Sequence, residues 1–291
     1  MTPRTPRPRR SMLYMPAANS RALEKARTLA ADALIFDLED AVAPEAKAEA
    51  RAAAVAAAAT RSYGAREILI RINGLDTAWA ESDLATAGAS AAHGVVLPKV
   101  SSAEDITRAE AALVAAGAGA DFAIWAMMET PRGVLHADQV AAASPRLAGF
   151  LIGTNDLAKD LRCAHPADRA PMHYALQRCV MVARAFELCV IDGVHMNIDD
   201  EASLIAACKQ GRDLGFDGKS LIHPKQIAAA NAAFAPAPEE VAQAERIVAA
   251  FQAATAKGLG VAVLDGHLIE LLHVRAAERL ITQARALAAM A

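Results

Sequence analysis

Acidic side chains stand directly after several apolar runs in this sequence. Asp37, Glu39 and Asp40 follow the run ALIF, Glu129 follows FAIWAMM, and Asp156 follows FLIGTN. We expect Glu129 and Asp156 to point into one cavity, where two carboxylates repel each other unless a cation lies between them. Oxygen ligands without a cluster of His or Cys favour Mg²⁺, with Mn²⁺ as the alternative ion. The spacing therefore predicts a carboxylate metal site.

Basic side chains and backbone amides at similar positions provide groups for an anionic ligand. Arg71 ends the run EILI, where we expect it to be free to grip a carboxylate with two hydrogen bonds, and Lys99 ends GVVLP. The N–H groups of Gly153, Thr154 and Asn155 would bind the same carboxylate at the start of a helix. Metal, arginine and amides together predict a site for a small oxo- or hydroxy-carboxylate, where an enolate is stabilised as charge develops.

Some of these residues also have structural explanations, which the sequence leaves open. Glu39 and Asp40 can cap the helix that follows them, and Lys99 can be an ion-pair partner inside the mouth of a barrel. His223 is expected to be an ordinary buried polar residue rather than a catalytic one.

Eight apolar, β-rich segments position these residues, and turn residues follow each segment. The segments span residues 11–16, 33–38, 67–73, 94–100, 122–130, 148–154, 187–193 and 216–224. Their starts lie 22 to 39 residues apart, enough for a strand, a loop and a crossover helix. Several are continuous apolar runs, as in a parallel sheet covered on both faces, and the Ala-rich stretches between them have helical periodicity. The pattern predicts a (β/α)8 TIM barrel, whose chemistry lies at the carboxyl ends of the strands. An open doubly wound sheet is the alternative, but no GxGxxG motif follows an early strand.

The two ends of the chain differ from this pattern. Residues 1–10, MTPRTPRPRR, are basic and proline-rich, and we expect a disordered arm. Residues 11–235 are assigned to the barrel. Residues 236–291 form a C-terminal extension with a helix from about 239 to 256, the run VAVLDGHLIELLHV and a final helix. A minimal barrel has no place for this extension, so we expect it to be a lid or a subunit contact.

Composition excludes several classes of protein. Hydrophobic residues make up 54% of the chain, enough for a large core. A net charge of −3 and 4% aromatic residues argue against nucleic acid as a partner. No apolar run reaches the ~20 residues of a membrane span. The four cysteines form no CxxC pair, which indicates buried thiols in a reducing compartment, and we expect a cytoplasmic protein.

The ordered motifs of the chain resemble the citrate lyase β-subunit family, which belongs with malyl-CoA and citramalyl-CoA lyases in the HpcH/HpaI aldolase superfamily. The resemblance is carried by RSMLYMPAANS, IFDLEDAV, RIN, VLPKV, MMETPRGV, LIGTNDLAKDL, VIDGV and GFDGKSLIHPKQI. It implies a Mg²⁺-dependent carbon–carbon lyase on a TIM barrel. Such an enzyme cleaves or forms malyl-, citramalyl- or citryl-CoA, to or from acetyl-CoA and an oxo acid.

The resemblance also implies roles for individual residues. Glu129 of MMET and Asp156 of GTND resemble the metal ligands, and Arg71 of RIN resembles the clamp for the oxo-acid carboxylate. Glu39 and Asp40 of DLED resemble groups that hold metal-bound water. By the same resemblance, Lys47 and Arg10 are expected near CoA.

The C-terminal run GHLIE, residues 266–270, departs from many relatives, which have an aspartate at the last position and supply it to a neighbouring subunit. Glu270 is longer by one methylene, so it is either an adapted acid–base residue or structural, with Asp265 as the second candidate. A tail that serves a neighbour predicts a homo-oligomer such as a trimer. The alternatives are a malyl-CoA thioesterase, a malate-synthase-like enzyme, or a citryl-ACP lyase subunit that accepts a carrier protein instead of free CoA.

Overall fold

Eight parallel strands form a closed barrel in the computed structural model of the chain, which describes residues 7–290. The strands are β1 Ser11–Pro16, β2 Ala33–Asp37, β3 Glu67–Arg71, β4 Gly94–Leu97, β5 Ala123–Met128, β6 Leu147–Ile152, β7 Cys189–Asp192 and β8 Gly218–Leu221. Each strand pairs with the next one along the chain, and β1 pairs with β8, where Leu13 lies opposite Leu221. The predicted TIM barrel is confirmed.

Helices connect successive strands and cover the outside of the barrel. They are α1 Ser20–Ala26, α2 Lys47–Ala59, α3 Ala80–Gly88, α4 Ala103–Ala115, α5 Pro131–Leu135, α6 Ala137–Ala142, α7 Thr154–Leu161, α8 His173–Ala185, α9 Glu201–Leu214 and α10 Ile227–Phe234. Local sequence sets their ends. For example, the Asp200 carboxylate accepts the N–H of Ser203 at 3.0 Å where α9 begins, and Gly215 ends that helix with φ +96°, a conformation that glycine adopts without steric cost.

Two apolar layers hold the barrel together, one inside it and one between strands and helices. Alternate residues of β1 enter different layers: Met12 packs inside with Ile35 and Trp125, whereas Leu13 faces the surrounding helices. The period of two in a strand explains this division. The four cysteines of the chain are free thiols.

Arg9 and Arg10 are ordered parts of the barrel unit, which spans Arg9–Phe234, so the predicted disordered arm of residues 1–10 is wrong at these two positions. Arg10 binds the Asp32 carboxylate through Nε at 2.9 Å and Nη2 at 2.7 Å. Arg9 binds Glu67, and its guanidinium lies 5.0 Å from the centre of the Trp125 ring. Residues 1–6 of the predicted arm lie outside the described residues.

The C-terminal unit is helical, with a β-hairpin between its two long helices. It contains α11 Pro238–Thr255, β9 Ala262–Leu264, β10 His267–Ile269 and α12 Leu271–Ala288. Ile269 and Val274 pack with Phe251 of α11 in a small apolar cluster. No helix among residues 7–290 has the length and apolar character needed to cross a membrane.

Candidate active site

A cavity of about 350 Å³ opens at the carboxyl ends of the barrel strands. Seven of the residues assigned to the site from the sequence line it: Asp40, Arg71, Glu129, Gly153, Thr154, Asn155 and Asp156. They come from the loops and strand ends around β2, β3, β5 and β6, so closure of the barrel brings together residues that are far apart in the chain. The two carboxylates assigned to the metal therefore share one cavity.

Glu129 follows β5 directly and is 2% exposed. Its Oε1 accepts a hydrogen bond from the backbone N–H of Lys99 at 2.7 Å. Burial raises the pKa of Glu129 to about 7, the Lys99 N–H opposes that rise, and the negative charges of Glu39 and Asp156 add to it. A carboxyl in this position is costly to ionise without a nearby cation.

Gly153 makes room for the Glu129 side chain. A Cβ at position 153 would lie 2.6 Å from the Glu129 Cβ, a non-bonded distance that Cβ atoms essentially never show. It would also lie 3.0 Å from the Glu129 carboxyl carbon. Helix α7 starts directly after Gly153, which places Asp156 in its first turn, with a side chain 35% exposed. The hydroxyl of Thr154 is buried and has no hydrogen-bond partner among the described residues. The short β6–α7 connection thus holds Asp156 beside Glu129 at the cavity.

Arg71 lines the cavity but is not free, contrary to the prediction. Its Nε and Nη2 each bind one carboxylate oxygen of Asp37 at 2.7 Å, and Nη1 lies 2.8 Å from Glu39 and 3.3 Å from Asp40. Asp37 and Arg71 are opposite each other in the register of β2 and β3, which explains why the pair forms. A guanidinium carries more N–H groups than these bonds use, so Arg71 can reach a substrate only with the remainder.

Glu39 is buried beside the cavity and lies between two cations. Its Oε1 is 2.6 Å from the ammonium of Lys99, and its Oε2 is 2.8 Å from Arg71. Burial raises the pKa of Glu39, and the two cations oppose that rise. Lys99 has a left-handed backbone, with φ +54°, which directs its N–H to Glu129 while its side chain reaches Glu39. The structural explanation of Lys99 as an ion-pair partner therefore fits its position, and Lys99 is not among the residues that line the cavity.

Two residues expected near CoA lie elsewhere and have other partners. Lys47 is buried, and its ammonium donates to the carbonyl oxygens of Leu38 at 2.8 Å and Glu39 at 2.7 Å. It fixes the loop that carries Glu39 and Asp40. Arg10 binds Asp32, which precedes β2, so it lies at the amino ends of the strands, opposite the cavity. Both residues thus have partners within the chain and neither lines the cavity, and their assignment to CoA stays a prediction.

Residues 10–224 match the family described as HpcH/HpaI aldolase/citrate lyase. The chain belongs to this family. It is 49% identical over 282 residues to (3S)-malyl-CoA thioesterase of Cereibacter sphaeroides, a match that covers 97% of this chain and 96% of that protein. It is 34% identical to citrate lyase subunit beta of Escherichia coli, covering 92% and 90% of the two chains, and 32% identical to L-malyl-CoA/beta-methylmalyl-CoA lyase of C. sphaeroides, covering 97% and 96%.

Solved structures agree with the family assignment. The protein CitE from Mycobacterium tuberculosis, in complex with magnesium, acetoacetate and coenzyme A, superimposes with a TM-score of 0.76. It is 29% identical in sequence, and the match covers 94% of this chain and 97% of that one. Members of the HpcH/HpaI family are lyases or thioesterases, so the protein is an enzyme.

The residues of this family member fit a divalent metal held by few protein ligands. Among residues 7–290 no group of three or more His, Cys, Asp or Glu side chains is arranged to hold a metal ion. Mg²⁺ commonly binds one or two carboxylates and takes its remaining ligands from water and substrate. Glu129 and Asp156 supply two such carboxylates in one cavity, and a cation there would offset the burial and the repulsion that raise the pKa of Glu129.

The acidic candidates of the tail lie at the hairpin of the C-terminal unit. Glu270 is exposed directly before α12, and its backbone N–H donates to Nδ1 of His273 at 3.0 Å. Asp265 stands in the hairpin turn with φ +50° and binds Arg246 at 2.7 Å. Glu270 thus remains the more available carboxylate of the two.

Asp37 and Tyr14 are among the residues of the cavity wall that the predicted site omitted. Asp37 stands out in the sequence only as one of three clustered acids, and its pairing with Arg71 depends on strand register. Tyr14 lies in the motif RSMLYMPAANS, and the alternation of β1 places it on the same face as Met12. That alternation could have identified it, since an inward residue near the carboxyl end of a barrel strand faces the mouth.

Proposed function

We propose that the protein is a Mg²⁺-dependent enzyme that hydrolyses a short 3-hydroxyacyl-CoA thioester of the malyl-CoA type to the hydroxy acid and CoA. The observation that carries the proposal is the shared cavity of Glu129, Asp156 and Arg71, which combines a carboxylate pair for a metal with a guanidinium for an anion. The full-length match at 49% identity to a (3S)-malyl-CoA thioesterase supports hydrolysis as the outcome.

The chain would hold the malyl carboxylate between two groups. Arg71 presents the N–H that Asp37, Glu39 and Asp40 leave unused, and the backbone N–H groups of Thr154 and Asn155 lie at the start of α7 on the same cavity. The Gly153 N–H is not available for this role, because it donates to the Met128 carbonyl at 3.3 Å. Because Asp37 binds Arg71 through both carboxylate oxygens, the guanidinium is fixed before the substrate arrives. Less freedom is then lost on binding.

Glu129 and Asp156 would hold Mg²⁺, with Mn²⁺ as the alternative ion. The Lys99 N–H fixes Oε1 of Glu129, and Gly153 leaves space for the rest of that carboxylate. When bound, the ion supplies Lewis-acid polarisation of the substrate oxygens. We assign to Asp40 the task of holding water near this site, since it lines the cavity with a side chain that is 64% exposed.

In hydrolysis a water oxygen attacks the thioester carbonyl carbon, the carbon–sulfur bond breaks, and the proton taken from the water is passed to the departing thiolate. We assign to Asp40 the role of accepting the proton of the water, because its carboxylate lines the cavity and is accessible. Glu39 has both carboxylate oxygens bound to cations, so it serves to position Arg71 and Lys99.

A carbon–carbon lyase reaction is the second candidate, and the matches to citrate lyase subunit beta and malyl-CoA lyase favour it. The same residues would hold the substrate while a base removes the hydroxyl proton, the carbon–carbon bond breaks, and the thioester enolate leaves. Glu270 of a neighbouring subunit would protonate that enolate. This role requires a homo-oligomer, for which we propose a trimer, and sedimentation of a fully active monomer would contradict it.

Product analysis separates these reactions. With (3S)-malyl-CoA and Mg²⁺ we expect malate and free CoA, whereas a lyase yields acetyl-CoA and glyoxylate. Incubation of acetyl-CoA with glyoxylate tests the malate-synthase-like reaction, and citryl-carrier protein tests the citrate lyase subunit alternative. Glu129→Ala or Asp156→Ala should abolish turnover, and Glu245→Ala on the exposed face of α11 is the matched control. Near-wild-type turnover by Glu129→Ala or Asp156→Ala would contradict the proposal.

A further inference from the structure

Tyr14 stands at the boundary between the barrel interior and the cavity. Along β1, Met12 belongs to the inner apolar layer, and Tyr14 packs against the same layer closer to the carboxyl end. Tyr14 is partly exposed and lines the cavity together with Glu129 and Arg71. A large aromatic side chain therefore forms part of the cavity floor.

The ring of Tyr14 supports the Arg71 guanidinium. The guanidinium carbon lies 4.8 Å from the ring centre, within the range of a cation–π contact. Asp37 holds the edge of the same guanidinium through two hydrogen bonds. Ring and carboxylate together fix both the plane and the direction of Arg71.

The hydroxyl of Tyr14 is poorly satisfied by the protein. Among the described residues its hydrogen-bond partner is Sδ of Met127 at 3.8 Å, and a thioether is a weak acceptor. The stronger acceptors nearby are already engaged, since Asp37 binds Arg71 and Glu39 binds Arg71 and Lys99. The hydroxyl faces the cavity without a good acceptor from the protein, so it is available to donate to a bound ligand.

The environment keeps this phenol protonated. Burial raises the pKa of Tyr14, Arg71 opposes the rise, and the negative charges of Glu129, Asp37 and Glu39 add to it. At neutral pH the hydroxyl is therefore a neutral hydrogen-bond donor inside a cavity whose other groups suit a carboxylate.

We propose that Tyr14 contacts the substrate, with its hydroxyl donating a hydrogen bond to a carboxylate oxygen of a short hydroxy- or oxo-acid while its ring positions Arg71 against the same group. The inference rests on the proposed function, because it places the acid half of the thioester in this cavity. It makes Tyr14 a determinant of binding for the acid half and not for CoA.

Tyr14→Phe tests the hydroxyl, because it removes one oxygen and keeps the ring beside Arg71. We expect the Kd of L-malate and of glyoxylate, measured by calorimetry with Mg²⁺ present, to rise roughly 10- to 100-fold, as for loss of a hydrogen bond to a charged group. The Kd of CoA should stay unchanged. Tyr14→Leu also removes the ring and should weaken malate binding further than Tyr14→Phe does.

Tyr63→Phe is the matched control. Tyr63 is buried, its hydroxyl donates to the Leu23 carbonyl at 3.1 Å, and it does not line the cavity. This variant also loses a phenol oxygen, but at a position outside the cavity. It should therefore bind malate as the wild type does.

Three outcomes would overturn the inference. The first is an unchanged Kd of malate in Tyr14→Phe, and the second is an equal loss of malate and CoA binding, which indicates a structural role. The third is a wild-type protein that binds neither malate nor glyoxylate. If the wild type binds these acids but hydrolyses or cleaves no thioester, the proposed function fails while the binding comparison still decides the role of Tyr14.

Discussion

Glu129→Gln should stabilise the metal-free protein at alkaline pH. In the folded chain burial and neighbouring carboxylates raise the pKa of Glu129 to about 7, against 4.5 for the free side chain. Between these two values the folded state holds a proton that the unfolded state has lost, so stability falls as the pH rises from about 4.5 to 7. The difference between the folded and unfolded pKa lowers the free energy of unfolding by about 3 kcal/mol at pH 8 and by about 1 kcal/mol at pH 5.

Glutamine removes this cost and retains the local geometry. Its Oε1 can still accept the Lys99 N–H that now binds Glu129 at 2.7 Å. Since Glu129 is 2% exposed, solvent screens the effect little, and the estimate is an upper value because the chain can relax around an ionised carboxylate.

The assay is urea unfolding of wild type and Glu129→Gln, in EDTA, at pH 5 and pH 8. We expect the free energy of unfolding of the variant to exceed that of the wild type by up to about 3 kcal/mol at pH 8. The difference should be smaller at pH 5. Glu245→Gln on the solvent-exposed face of α11 should show no such pH-dependent difference. A variant less stable than the wild type at pH 8, or a difference independent of pH, would refute the reasoning.

Three further predictions concern the metal, the glycine and the loop. Mg²⁺ should bind roughly 10-fold more weakly at pH 6 than at pH 8, because Glu129 must lose its proton, which calorimetry at both pH values checks. Equal affinity would exclude Glu129 as a ligand. Gly153→Ala should lower kcat/KM by at least about 100-fold with a folded barrel by circular dichroism, because its Cβ displaces the Glu129 carboxylate, and wild-type rates would contradict that placement. Lys47→Met should lower the unfolding free energy by about 2 kcal/mol in urea titrations, because it leaves the buried Leu38 and Glu39 carbonyls without their donor. An unchanged midpoint would show that water replaces the ammonium.

The strands were predictable because each is a short apolar run, and each interval between runs is long enough for a crossover helix. Strand β1 has the predicted bounds, and β3 and β4 start at the predicted residues but end two or three residues earlier. The predicted runs continued into the loops, where Asn73 and Lys99 follow the strands. An apolar run identifies a strand, but the residue at which the strand ends depends on the last hydrogen bond that it forms with the neighbouring strand.

The positions of Glu129 and Asp156 were also predictable, since a polar residue at the carboxyl end of a barrel strand must face the mouth. The partners of the basic residues were not. Arg71, Lys47 and Arg10 each looked available in the sequence, yet each binds acceptors within the fold. The sequence pattern around a basic residue does not show whether a carboxylate or carbonyl of the same chain will lie within hydrogen-bonding distance of it.

By itself the amino-acid sequence determined the barrel, the family and the pair of acids that face one cavity, because these depend on local periodicity and on the order of the strands. Only the tertiary structure decided that Asp37 binds Arg71, that Lys47 binds the carbonyls of the loop after β2, and that the hydroxyl of Tyr14 has a thioether sulfur as its partner. Such pairings depend on ångström-scale distances between side chains of different strands, and ion pairs and hydrogen bonds form or fail over those distances.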